Sequence, residues 1–158
     1  MSGKEGQDSG KLQVLPINKN FEEEAKQLIL DGLAERFGYL DHSLNPDLDD
    51  IMTHYNKKGS VFLIAIVNKD LVATGAITKE NDQLGRVERM SVKRNYRRKG
   101  VGKLMLQSLE WYAKTLGYNR LVLETNKGWT SALNFYSNHG FTVYRNDTRR
   151  SHFEKNIF

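Results

Sequence analysis

Residues 97–103 run Arg97, Arg98, Lys99, Gly100, Val101, Gly102, Lys103, and they separate a strand-like stretch from an apolar-periodic one. Strand, basic glycine loop and helix in that order outline a phosphate cradle. The first N–H groups of a helix have no intrahelical acceptor and its macrodipole is positive there, so a pyrophosphate can take those donors directly. Glycine at 100 and 102 lets the backbone approach oxygen without a Cβ in the way. Lys93, Arg94, Arg97, Arg98, Lys99 and Lys103 add charge-assisted contacts suited to several phosphates on one ligand. Two nucleotide motifs are excluded, because the loop lacks both the third glycine of a dinucleotide fingerprint and the lysine-serine or lysine-threonine ending of a P-loop. On spacing alone, a solvated basic turn that caps a helix fits equally well.

The elements that must hold this loop are legible from periodicity. Residues 12–17 read as a short strand. Asn20 with Glu23 forms a capping-box signal ahead of Phe21, Ala25, Leu28, Ile29 and Leu33, which predicts an amphipathic helix ending near Gly38. Asn45 and Pro46 punctuate the chain, and Asp47, Asp49 and Asp50 precede Ile51, Met52 and Tyr55, as expected of acidic residues at the start of a short helix. Residues 61–67 and 71–78 are apolar and rich in β-branched side chains around a polar turn at 68–70, which predicts a hairpin at the centre of a sheet. Residues 83–92 make a third strand, and Val101, Leu104, Met105, Leu109, Tyr112 and Leu116 recur at helical spacing. Residues 121–123 are strand-like, 130–139 helical, and 141–144 and 151–157 close the chain as strands about a turn at Asn146 and Asp147. That order implies a mixed sheet with helices on its faces. One domain is expected over residues 11–158, with a disordered polar tip at 1–10.

The segment resembles the GNAT N-acetyltransferases, whose glycine loop reads Arg or Gln, two residues, Gly, one residue, Gly or Ala; Arg97, Gly100 and Gly102 stand in those places. Glu88-Arg89-Met90-Ser91-Val92 looks like the family's preceding strand. Ala132-Leu133-Asn134-Phe135-Tyr136 through Gly140-Phe141 looks like its later helix and strand, so the likeness covers about residues 71–158. The fold implied is α/β (mixed α+β), the acyl-CoA N-acyltransferase fold, with a central mixed, mostly antiparallel twisted sheet flanked by about four helices. The donor implied is acetyl-CoA. By the same resemblance, backbone groups of Met90, Ser91 and Val92 pair with the pantetheine arm as an added strand. Arg97 and the backbone amides of Arg98, Lys99, Gly100, Val101, Gly102 and Lys103 hold the pyrophosphate. The family often has an asparagine three residues before the helix alanine, where this chain has Trp129, which leaves Asn126 and Asn134 as candidates for that contact.

The activity implied is transfer of an acetyl group to a primary amine of a small molecule or peptide, by direct attack in a ternary complex. A lysine-like amine has a free pKa near ~10.4, so a base or a water relay must take a proton near neutral pH. Glu88, on the strand that would bear the thioester, is the first candidate base; a glutamate paired with Arg86 or Arg89 is the other reading. Tyr136 is the candidate acid for the departing thiolate, because a phenol stays protonated at neutral pH; a core aromatic with its hydroxyl at the edge is the alternative. Resemblance also assigns the Met90 N–H to the developing oxyanion. The acceptor pocket is expected along residues 36–50, where Tyr39, Asp41, His42, Asn45, Asp47, Asp49 and Asp50 would suit a cationic amine, or else simply cap a helix.

Composition bounds these readings. The chain has 158 residues, no cysteine and a formal charge of +5. A disulfide framework, a thiolate zinc site and a cysteine nucleophile are therefore excluded. No apolar stretch approaches the ~20 residues a membrane span needs, and a soluble, cytoplasmic protein is expected. His42, His54, His139 and His152 show no metal-ligand spacing, so no metal is expected. Partners expected are an amine acceptor and no nucleic acid or membrane, with a homodimer left open. Two alternatives stand beside the enzyme: a basic nucleic-acid-binding module that stacks bases on Tyr96, and a GNAT-fold CoA-binding protein without acetyltransferase activity.

Overall fold

The computed structural model describes residues 10–38 and 45–158. Strands β1 (Gln13–Pro16), β2 (Val61–Val67), β3 (Asp70–Lys79), β4 (Leu84–Val92), β5 (Arg120–Asn126), β6 (Thr142–Asn146) and β7 (Arg150–Asn156) form one sheet in the order β1-β2-β3-β4-β5-β7-β6. Every neighbouring pair is antiparallel except β4 with β5. The β2–β3 hairpin is interior, but the middle strand is β4.

Among the described residues four α-helices cover the faces: α1 (Glu22–Phe37), α2 (Ile51–Tyr55), α3 (Val101–Thr115) and α4 (Thr130–Asn138). β2 is apolar throughout because both of its faces are covered. Leu63 and Ala65 enter one core with Met105, Leu106 and Leu109 of α3. Phe62 and Ile64 enter the other with Ala25, Ile29 and Leu30 of α1 and Ile51 and Tyr55 of α2. Strand alternation thus divides one apolar run between two layers.

The start of the first helix differs from the capping box read at Asn20. A 3-10 turn at Lys19–Phe21 precedes α1, and Asn18 caps it, its side chain accepting from the Asn20 N–H at 3.0 Å. The cap moved two residues upstream because the extra turn supplies the first bonds. The second helix begins as expected, after a 3-10 turn at Pro46–Asp49, with the Asp50 carboxylate accepting from the Thr53 N–H at 3.2 Å.

Candidate functional site

The site begins with a defect in β4. Ala76 pairs with Glu88 and Thr74 with Ser91, so Gly75 faces both Arg89 and Met90, and Arg89 adopts a left-handed φ of 54°. This is a β-bulge, which bends its strand and re-aims side chains. Left-handed backbone at a bulky residue costs about 1–3 kcal/mol and persists only where the surroundings enforce it. Here the Thr74 hydroxyl donates to the Arg89 carbonyl at 2.7 Å, and the Arg89 guanidinium grips Asp47 at 2.6 and 3.0 Å. Gly75 is required by close approach, since a Cβ there would lie 2.8 Å from Leu109 Cδ1.

β4 has already left β5 before it reaches the bulge. The two strands pair only where Leu84, Gly85 and Arg86 meet Arg120, Leu121 and Val122. No strand among the described residues pairs with the β5-facing edge of residues 87–92. The wedge between the strands opens into a cavity of about 740 Å³ whose wall includes Glu88, Met90, Ser91 and Val92, with Tyr136 of α4.

The basic loop floors this cavity. Arg98 and Gly100 take left-handed φ values of 62° and 82°, and Gly100 precedes α3 with no side-chain cap. The first bond at this end runs from the Leu104 N–H to the Gly100 carbonyl. The amides of Val101, Gly102 and Lys103 are therefore without an intrahelical partner. A Cβ at Gly100 would meet nothing within 4 Å, so its glycine answers to backbone conformation and to what occupies the open side. Gly102 has a different reason: a Cβ there would sit 3.2 Å from the Phe135 ring.

Of the residues singled out by sequence, Glu88, Met90, Ser91, Val92, Arg97, Arg98, Gly100, Gly102, Lys103 and Tyr136 converge on this cavity, whereas Lys99, Val101, Asn126 and Asn134 do not line it. Asn126 ends β5 and turns its Oδ1 to the Gly128 N–H at 2.8 Å, and Asn134 is exposed on α4. The Arg97 side chain is committed to protein, donating from Nε to the Val92 carbonyl at 3.0 Å and from both terminal nitrogens to Glu35 at 2.6 and 3.2 Å. Arg97 thereby ties α1 to the end of β4. Tyr96 packs against the core and carries the Lys99 ammonium 5.9 Å from its ring centroid, so it is a poor free stacking platform.

Sequence reasoning missed the rim. Arg36 lies 4.5 Å over the Trp129 ring, Phe37 meets the same ring edge-on at 5.3 Å, and Arg36 and Trp129 both line the cavity. The visible signal was an aromatic where the resembled pattern places asparagine.

A second cavity, of about 760 Å³, shares with the first the lining residues Val87, Glu88, Arg89 and Glu124. Of the residues named between 36 and 50, Asp47 and Asp50 line it and Asn45 and Asp49 do not, while Tyr55, Arg86 and Arg150 join the wall. Tyr39, Asp41 and His42 lie outside the described residues. Asp47 is held below the usual carboxylate range by hydrogen bonds from Arg89 and Tyr55, which outweigh the opposing effect of burial, the largest single influence. Burial lifts the Tyr136 phenol to about 12, with Arg36 pulling weakly the other way. Among the described residues no three His, Cys, Asp or Glu gather in a way that could hold a metal ion, and no helix is long and apolar enough to cross a membrane.

Two cavities lined by one and the same carboxylate suit a reaction between two bound molecules. A family model for the acetyltransferase (GNAT) family matches residues 26–141. The chain is 32% identical over 105 residues to an N-acetylaspartate synthetase of Danio rerio, covering 65% of this chain and 37% of that protein. It spans about half the length, or less, of the curated relatives it matches. In fold it resembles a GNAT-family acetyltransferase of Staphylococcus aureus Mu50, with TM-score 0.85 and 24% identity over 94% of this chain and 100% of that one. It also resembles the PaiA N-acetyltransferase of Thermoplasma acidophilum in complex with coenzyme A, with TM-score 0.79 and 16% identity over 92% and 99% of the two chains.

Proposed function

This chain belongs to the GNAT acetyltransferase family, and from that premise we propose that it transfers the acetyl group of acetyl-CoA to a primary amine by direct attack in a ternary complex. The observation that carries the reading is the wall shared by the two cavities. One cavity is floored by the uncapped amides at the start of α3 and flanked by the unpaired edge of β4; the other is lined by the same Glu88.

The residues present fit the donor. The Val101, Gly102 and Lys103 amides, with the positive end of α3 and the cations Arg98 and Lys103, would take the pyrophosphate. The free edge at Met90, Ser91 and Val92 would pair with the pantetheine amides as a further strand does. When bound, acetyl-CoA supplies a thioester carbonyl open to attack by a neutral amine.

Three groups of this chain then have work. The Glu88 carboxylate, which accepts from the Thr78 hydroxyl at 2.9 Å and has no cation bonded to it among the described residues, takes the proton from the amine, directly or through water. The Met90 N–H stabilises charge developing on the carbonyl oxygen. The Tyr136 hydroxyl makes no hydrogen bond to another described residue and lines the donor cavity, so it is available to donate to the leaving sulfur.

Calorimetry with acetyl-CoA, followed by thiol release across a panel of primary amines, tests this. We expect saturable binding and amine-dependent release. Binding without release from any amine would leave a CoA-binding protein, and no binding at millimolar acetyl-CoA would end the reading.

A further inference from the structure

The cavity assigned to the acceptor is lined by carboxylates and cations in equal number, four of each: Asp47, Asp50, Glu88 and Glu124 face Lys57, Arg86, Arg89 and Arg150. Most of this charge is already spoken for within the wall. Asp47 is gripped by Arg89 through two bonds and accepts a third from the Tyr55 hydroxyl at 2.8 Å. Glu124 is bonded by Arg86, which also holds Glu80 at 2.6 Å. Asp50 caps α2. A polycationic amine would find little uncompensated negative charge here, because charges already paired contribute little net field to a third group.

Among the described residues Glu88 and Asp50 accept only from neutral groups, and Arg150 and Lys57 have no carboxylate hydrogen-bonded to them. Glu88, at the wall shared with the donor cavity, is met only by the neutral Thr78 hydroxyl. Arg150 keeps a loose 3.6 Å approach to Glu124, too long for a hydrogen bond, and its side chain is 58% exposed at the same cavity. A guanidinium with free N–H groups presents a planar fork that matches a carboxylate. The loosely met charges of the cavity are therefore of both signs, with Glu88 in the wall shared with the donor cavity and Arg150 outside that wall.

We propose that the acceptor is an amine that carries its own carboxylate, an amino-acid-like zwitterion whose carboxylate is held by Arg150 while its amine is presented to Glu88. This rests on reading the cavity as the acceptor side of an acetyltransferase. Specificity follows from pairing charge at the cavity wall: an analogue without the carboxylate leaves Arg150 unmatched and loses the contact that orients the amine.

The test uses the full chain with acetyl-CoA and thiol release. Alanine, glutamate and phenylalanine are each compared with the α-amide and with the amine left after loss of the α-carboxylate. The amides matter because their amines deprotonate more readily, which separates the effect of charge from that of amine basicity. We expect kcat/KM for at least one free amino acid to exceed both of its partners about tenfold or more. Arg150→Ala should narrow that gap mainly by raising KM for the amino acid, and Arg150→Lys should restore part of it. Equal or faster turnover of the carboxylate-free partners, or an Arg150→Ala enzyme with unchanged KM, would overturn the proposal. Release with spermidine but with no amino acid would overturn it while leaving acetyl transfer to amines standing. Silence with every amine, despite acetyl-CoA binding, would remove the transferase reading and this proposal with it.

Discussion

Tyr136 belongs to the core by its ring, and the proposed mechanism gives its hydroxyl a separate role as proton donor. Its ring meets Phe135, Phe141 and Phe153 at centroid distances of 5.2, 5.6 and 6.1 Å, so packing fixes where the hydroxyl points. The two readings open at the sequence level, core aromatic and proton donor, are compatible because ring and oxygen serve different surroundings. Burial raises the phenol pKa to about 12, above its ordinary 10. The raised value keeps the proton on at any working pH, so a donor role should give no alkaline loss of kcat near pH 10 from this group. Tyr136→Phe keeps the ring contacts and removes only the donor. We expect kcat to fall roughly 10- to 100-fold with the KM for acetyl-CoA little changed. Wild-type turnover in the variant would assign Tyr136 to packing alone. At the same scale Asn126 and Asn134 show where pattern reading reaches its end: the residue type was visible, but whether its amide turned inward depended on the 127–129 turn and on the exposed face of α4.

Among the elements, the strand–loop–helix unit from β4 to α3 was legible because its signals are local: a β-rich run, clustered cations, glycines, then helical periodicity. The tie that holds it was not. Glu35 lies on α1, 62 residues from Arg97 in sequence, and only the folded chain brings the two within 2.6 Å. Hydrogen bonding from Arg97, reinforced by Arg94, lowers the Glu35 carboxyl from its ordinary 4.5 to about 2. A depressed carboxyl contributes stability that is fully present above the unfolded value and is lost as pH falls through the folded one. The window here is about 4.5 down to 2. Because the pair is solvent-exposed, the effect should be small on global stability and clearer in the loop. Acetyl-CoA affinity should weaken as pH falls through that window, and Glu35→Gln should show weakened binding already at neutral pH with a flatter acid dependence. Identical acid profiles for the two proteins, read by calorimetry, would count against the tie. Gly100→Asp tests the loop itself, since an aspartate strains the 82° φ and sets negative charge where phosphate is expected. Binding of acetyl-CoA should fall at least about 100-fold while the far-ultraviolet spectrum stays native.

For the molecule as a whole, the two-layer core follows from alternation, but the strand order and the split in the sheet do not. Nothing in the letters of β4 and β5 says that their ladder stops after Arg86. The ladder ends ahead of the Gly75–Arg89 bulge, which itself depends on pairing between β3 and β4 and on Asp47 arriving from the loop before α2. The consequence is a sheet in which β1-β2-β3-β4 and β5-β7-β6 are joined by three residue pairs, with the wedge between them left for ligand. A molecule that pairs with the β4 edge and contacts α4 would close that wedge and link the two halves. Binding should therefore do more than raise the overall unfolding free energy, which mass action puts at about 2.7 kcal/mol for ligand at 100 times its Kd. It should redistribute protection. In hydrogen exchange, the amides of residues 90–92 and 100–103 should slow because they gain acceptors, and β5 should slow because its opening toward the wedge is blocked, while β1, remote from the wedge at the far edge of the sheet, should change little. Uniform slowing across all strands would indicate stabilisation without bridging. Slowing confined to residues 100–103 would mean that the phosphates bind but the pantetheine arm never joins the sheet.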